Sequence, residues 1–417
     1  MKFVRRVSGR TFKSLQVRNF RLYFVGQLIS ISGTWMQSFA QGFLVVLTLH
    51  ASAVDLGVTI ALPFVPMLLL GPLGGAVVDR SDKRFILYFT QSSAAVLALT
   101  LGILVSTHHV SLPAIWTLAS LLGVVNLFDN PARQSFVQEM VGKDLLPNAV
   151  SINSALINMG RVVGPAIGGA LLFVGIATCF YVNAASFAAL LAALVMMRAE
   201  EITRIRTVSR AKGQVREGLR YAFENREIRE VLTCVTIVGL FAFNFTVTLP
   251  LLAIRVLHGT SSDYALLTCS MGLGGLLGGL YVAHRSRPTR KLLGLLAAAF
   301  GLLMALVAAA PSIWLACIAI VPMGAASLAF VSTANATLQM RSDERMRGRV
   351  MSLYAMGFLG TTPIGALVVA LVAAASNARV AIAVGALATV SASLILLGAA
   401  RARATAPLGD AAPATPA

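Results

Sequence analysis

A chain of 417 residues that is 57% apolar and only 12% charged, with a mean hydropathy of +0.80, is too poor in charge for an ordinary soluble domain, which runs at about a quarter. Its net charge of +18 would suggest nucleic acid in a soluble protein. In a chain this apolar it marks loops on the inner face of a bilayer and contact with anionic lipid, and nucleic acid is excluded as a partner.

The first 21 residues carry seven Lys/Arg and no acid, and form a basic arm. Ala51-Ser52-Ala53 resembles a signal cleavage site, but the apolar run before it is too long for a signal peptide, so an uncleaved first span is expected. Apolar runs then recur near 22–48, 55–78, 85–106, 113–129, 146–172, 176–197, 231–254, 263–283, 292–310, 312–338, 350–374 and 379–399. Each is long enough to cross ~30 Å of hydrocarbon. Taking the loops alternately with the amino terminus inside, the inner set holds 31 of the 34 Lys/Arg. The outer set holds only Arg255 and Arg379, and Arg161 falls within a span. This asymmetry predicts a multi-pass membrane protein with both termini cytoplasmic.

Span one is rich in polar residues. Gln27, Ser30, Thr34, Gln37 and Gln41 follow one another at spacings of three and four. Such a stripe is costly against lipid and is expected to line a wet cavity. Trp35 is placed to stack a planar ligand or simply to pack. Asp55 opens span two as an amino-terminal cap, with proton work as its lesser alternative. Span two ends in Gly75-x-x-x-Asp79-Arg80-Ser81-Asp82-Lys83-Arg84, a charged turn between two long uncharged runs. Gly75 would let another helix approach closely, with the Asp79 carboxylate one turn on at the water line.

Asp129, near the end of span four, is the best protonation candidate, because apolar flanks raise a carboxyl pKa. A helix-end pair with Arg133 is the plainer reading. Arg161 within span five must face the bundle interior or water. It is either an anchor for an anionic substrate or a partner for Asp129, or else a structural donor to carbonyls or a side chain snorkelling toward the cytoplasm. Asn244 of span seven and Asn335 of span ten would complete the cavity wall. Residues 199–230 read as a cytoplasmic linker carrying an amphipathic helix, between six-helix bundles at 22–198 and 231–399. The Ala/Pro-rich tail, 400–417, is expected to be disordered. Cys179, Cys234, Cys269 and Cys317 are far apart without a CxxC, and the five histidines fall near loops, so no metal or cofactor is expected. No phosphate loop or catalytic set appears, so neither ATP nor enzyme chemistry is indicated.

The halves read as diverged repeats offset by about 200 residues. Asp55 recurs as Asp263, Gly74-Gly75 with its basic loop as Gly278-Gly279, and Pro165-x-x-Gly168 is echoed by Pro363-Ile364-Gly365. Parallel halves with a site between them at mid-membrane are a transporter plan.

Gly75-x-x-x-Asp79-Arg80-x-Asp82-Lys83-Arg84 resembles the loop motif of the major facilitator superfamily, with Asp at 82 in place of the usual Gly. Gly160-x-x-x-Gly164-Pro165-x-x-Gly168-Gly169 resembles that family's antiporter motif. Arg18-Asn19-Phe20-Arg21-Leu22, Gly26-Gln27, Gly33-Thr34-Trp35-Met36-Gln37 and Asn130-Pro131-Ala132-Arg133-Gln134 are similar to the enterobactin-exporter-like, or transmembrane secretion effector, branch. The resemblance implies an all-α membrane fold of twelve transmembrane helices in two pseudo-symmetric six-helix bundles. It implies a switching role for Gly75, Asp79, Arg80, Lys83 and Arg84. It also implies a monomeric secondary exporter of a drug, siderophore or other metabolite, with a proton as counter-ion. A proton-relay Arg is not visible within 113–128, so the coupling is implied by the resemblance alone. A lipid or nutrient carrier is the alternative within transport, and a non-transporting receptor or scaffold the alternative outside it.

Overall fold

A computed structural model describes residues 13–203, 214–284, 289–343, 346–358 and 360–404. The arm over 1–12, the linker stretch 204–213 and the tail from 405 lie outside the described residues. The described chain is helical, without a strand. Ten of its helical segments are long and apolar enough to cross a membrane. The other two spans of the twelve are span one, diluted by its polar stripe, and the part of the Leu112–Leu171 helix beyond Gly142.

The helices run up and down between two ends. One end carries the charged turns near 80, 198, 225, 290 and 343, and is called the basic end below. The other carries the turns near 50, 109, 174, 259, 311 and 377. Spans one to six form one bundle and seven to twelve the other.

The repeat is clearest at the far end. Span one finishes in a π turn, Leu44–Thr48, and span seven in another, Leu252–Val256. Each is followed by a histidine in the left-handed region, His50 with φ of 48° and His258 with φ of 51°. Next comes a capping arrangement: Asp55 accepts from the backbone and hydroxyl of Ser52, and Asp263 from those of Thr260. Asp55 is thus the third residue of a capping box rather than the cap itself, which is Ser52.

Three boundaries differ from expectation. Span four does not end near 129. Its helix continues to the kink at Gly142, where φ is 72° and only glycine is at ease. Asp129 and Arg133 form the i,i+4 pair that their spacing suggests, but within a continuing helix inside the bundle rather than at a helix end. Spans seven and eleven are each broken. Span seven is Arg226–Phe241 followed by Phe245–Leu251, and span eleven is Arg347–Phe358 followed by Thr362–Ala375. The breaks lie side by side: Gly239 backs onto Phe358, and Gly365 fits against Asn244. Phe243 covers them, with ring centroids 4.9 Å from Phe358 and 5.5 Å from Phe300. Non-helical backbone at this depth is tolerated only when buried in protein or lining a cavity.

The bundles are closed against each other at the far end. Gly57 of span two fits against Ala366 and Ala370 of span eleven. A Cβ on Gly169 of span five would lie 2.6 Å from that of Ala265 in span eight. Phe39 stacks on Tyr264 with centroids 4.4 Å apart, and Arg255 donates to the Ala51 carbonyl across the divide. Toward the basic end the halves part. A Cβ on Gly71 or Gly75 would meet nothing within 4 Å.

Candidate substrate cavity

Where the halves meet at mid-depth lies a cavity of about 180 Å³. Span one contributes Trp35 and Phe39, span five Arg161, the break in span seven Phe243 and Phe245, and span eight Tyr264. The glycines of the antiporter-like motif set this geometry. A Cβ on Gly160 would sit 3.1 Å from the Trp35 ring, and one on Gly164 2.6 Å from the Trp35 Cβ. Gly168 admits the Phe39 ring at 2.8 Å. Span one therefore seats directly on span five. Pro165 reaches the cavity, and Gly169 turns to span eight.

This seating places the Arg161 guanidinium over the Trp35 ring, 5.0 Å from its centroid. Among the described residues Arg161 has no hydrogen-bond acceptor and no carboxylate partner, and it keeps contact with the cavity solvent. No Asp or Glu lines the cavity. Of the readings for Arg161, the described geometry holds no carbonyl bond and no contact with Asp129, and the side chain is exposed.

Asp129 belongs to a second, more polar chamber of about 730 Å³ inside the first bundle. Its Oδ1 accepts from Thr90 and Gln91, both at 2.7 Å, and Oδ2 pairs with Arg133. Arg133 also donates to Gln27. The pair is largely buried, with side chains 8% and 18% exposed. Arg133 is the in-membrane basic residue of span four that sequence reasoning did not find there. The signal was its spacing of four from Asp129. Gln27 and Thr34 thus line the polar chamber rather than the central cavity.

The other cavity candidates are placed differently. Gln37 accepts from Asn183 at 2.6 Å and faces span six. Gln41 lines neither chamber. Asn244 is buried and donates to the Leu240 carbonyl at 2.8 Å, holding the break in span seven. Asn335 accepts from Gln339 at 2.5 Å.

At the basic end the charged turn is tied to its own bundle. Asp82 caps the helix Lys83–Ser106 by accepting from the backbone of Arg84 and Phe85, so a glycine is not needed there. Lys83 pairs with buried Glu139 at 3.6 Å and reaches the Asp79 carbonyl at 3.3 Å. Arg84 caps span six by donating to the carbonyls of Leu194 and Met197. Asn19 and Arg198 exchange bonds of 2.9 and 3.1 Å, which fastens span one to the same helix end. Gly75 makes no close approach in this conformation; Gly74 does, against Leu127. Arg349, at the head of span eleven, pairs with Glu217 of the linker helix Gln214–Glu224 at 2.5 Å.

Comparison with known proteins agrees with this architecture. Residues 10–414 match the family model described as transmembrane secretion effector. The staphyloferrin A transporter of Staphylococcus aureus is 26% identical over 258 residues, which is 62% of this chain and 65%, just under two thirds, of that relative. The multidrug efflux pump Tap of Mycolicibacterium fortuitum is 27% identical over 77% of this chain and 82% of its own. The crystal structure of nucleoside transporter NupG superposes with a TM-score of 0.73 at 12% identity, covering 91% of this chain and 98% of that one, a likeness of fold alone. These relatives are transporters, not enzymes. With two six-span halves closed around a central cavity, and a family match over almost its whole length, the chain belongs to the transmembrane secretion effector family of the major facilitator superfamily.

Proposed function

We propose that the protein is a monomeric secondary active exporter of small molecules, such as a drug, a siderophore or another metabolite. It works by alternating access in the bacterial inner membrane and is driven by proton exchange. The observation that carries the reading is the central cavity: it sits at the junction of the halves, beside two broken helices, with one end of the molecule shut. Discontinuous helices at a repeat interface are where transporters of this plan hold their cargo. A packed receptor or scaffold has no use for an unpaired cation at that depth. The names of the relatives, an efflux pump and a siderophore transporter, support export of this kind of cargo.

In this reading the basic end faces the cytoplasm, because Lys and Arg are retained there. The conformation described is then open inward. Gly75, Asp79, Arg80, Lys83 and Arg84 form the turn that re-docks on span eleven when the inner end closes. Asp129, with Arg133, is the candidate for proton coupling, and Asp55 serves its capping box. The test is accumulation of a fluorescent efflux dye in cells with and without the protein, repeated with a proton uncoupler. Lower accumulation that the uncoupler abolishes is expected. Equal accumulation across a panel of anionic, neutral and cationic dyes, at confirmed membrane expression, would overturn the proposal.

A further inference from the structure

We infer that the central cavity selects a compact aromatic anion, such as an aryl carboxylate, over neutral or cationic molecules of the same shape; this rests on the transporter reading above. Other basic groups described within or at the ends of the spans have their charge answered. Arg133 has Asp129, Lys83 has Glu139, and Arg290 has Glu230. Arg379 donates to the Ala308 carbonyl at 2.8 Å, and Arg255 to that of Ala51. Arg161 alone among them has neither, and no acid lines its cavity. The Arg161 side chain is exposed to the cavity, so its charge at this depth is answered only by what fills that space. The cavity is therefore built one negative charge short.

The orientation of Arg161 fits a carboxylate in particular. Its guanidinium lies over Trp35, 5.0 Å from the ring centroid, so stacking occupies a face and leaves the N–H edge free. That edge is a planar fork matched to two carboxylate oxygens. The remaining walls are mainly apolar and include four aromatic side chains, Phe39, Phe243, Phe245 and Tyr264, with a few hydroxyls such as Ser38 and Thr268 among them. They suit an aromatic ring and would repel a hydrated ion. At about 180 Å³ the cavity is below the usual range of drug pockets, which suits one ring better than a macrocycle.

The experiment uses the purified full-length chain with Trp116→Phe and Trp314→Phe, which leaves Trp35 as the reporter. Quenching of its fluorescence is titrated with 4-nitrobenzoate, 4-nitrotoluene and 4-nitrobenzylammonium, three probes of one shape and three charges. Binding of the anion is expected to be at least about tenfold tighter than of the cation, as one charge-assisted pair supplies. Arg161→Gln should erase that preference, bringing the anion and the cation to similar affinity, and Arg161→Lys should restore part of it. Equal or tighter binding of the cation to the unaltered cavity overturns the inference, and this holds even where Arg161→Gln does not fold. An anion preference that survives in Arg161→Gln overturns it too. Failure of the exporter reading looks different. Anion-selective binding with no uncoupler-sensitive dye movement would sink export and spare the cavity's charge preference. Uncoupler-sensitive efflux of a cationic dye, undiminished by 4-nitrobenzoate, would do the reverse.

Discussion

Arg161 and Arg133 are both in-membrane arginines, yet only one was legible as such. Arg161 stands alone in a long uncharged run, so its placement inside a span follows from composition. Arg133 lies beyond Asp129, Asn130 and Pro131, where the apolar run stops, so the sequence places it at a helix end rather than within the span. The pair cancels its own charge, and the helix runs on through it. Removing one member should therefore be costly. Asp129→Ala leaves Arg133 buried and unanswered, and should destabilise the chain by about 3–5 kcal/mol. The double change Asp129→Leu with Arg133→Met should cost much less. Thermal unfolding in detergent compares the two, and a double variant as unstable as the single one would contradict the pairing argument. Asp82 shows the same limit: in sequence it is only a departure from the usual glycine, and the cap it forms explains how the turn is made without one.

At the scale of elements, the twelve spans and the glycine seams were readable, and the interruptions were not. Spans seven and eleven are uncharged through their breaks, although Asn244 in one and Gly360-Thr361-Thr362-Pro363 in the other are turn-forming residues that a span count by hydropathy passes over. Hydropathy cannot register a change of backbone conformation that neighbouring phenylalanines cover. The seams follow from small residues at helical spacing. Gly274 and Gly278 of span eight run against the backbone of Val321 and Ala325 in span ten, and Gly324 against Met271. Backbone cannot move aside as a side chain can. Gly278→Val should therefore lower the yield of folded protein sharply, whereas Gly279→Val, facing only Leu328 at 3.5 Å, should be tolerated. Size-exclusion profiles of the two variants provide the comparison, and equal profiles would remove the seam argument.

For the whole molecule, the halves and their relation were legible from loop charge and the offset of motifs. Which end is shut was not, because one sequence encodes every conformation of the cycle. Gly57 is a contact of the shut end, since the neighbouring Ala366 and Ala370 leave no room for a side chain. Gly57→Leu should push the halves apart there and shift the population toward opening on that side. A cysteine introduced at Ala53, which is 2% exposed, should then react several-fold faster with a water-soluble maleimide than it does with Gly57 in place. An unchanged rate would mean that this contact does not govern closure.

The histidine-tipped π turns at the ends of spans one and seven align position for position in backbone, but the bond between Arg255 and the Ala51 carbonyl has no mirror image. The counterpart of Arg255 in the first copy is Leu47, which has nothing to donate. A duplicated scaffold thus wears a clasp on one shoulder only. Resting preference between its two faces need not be inherited from the ancestral symmetry; a single side chain, acquired or lost by one copy, is enough to tilt it.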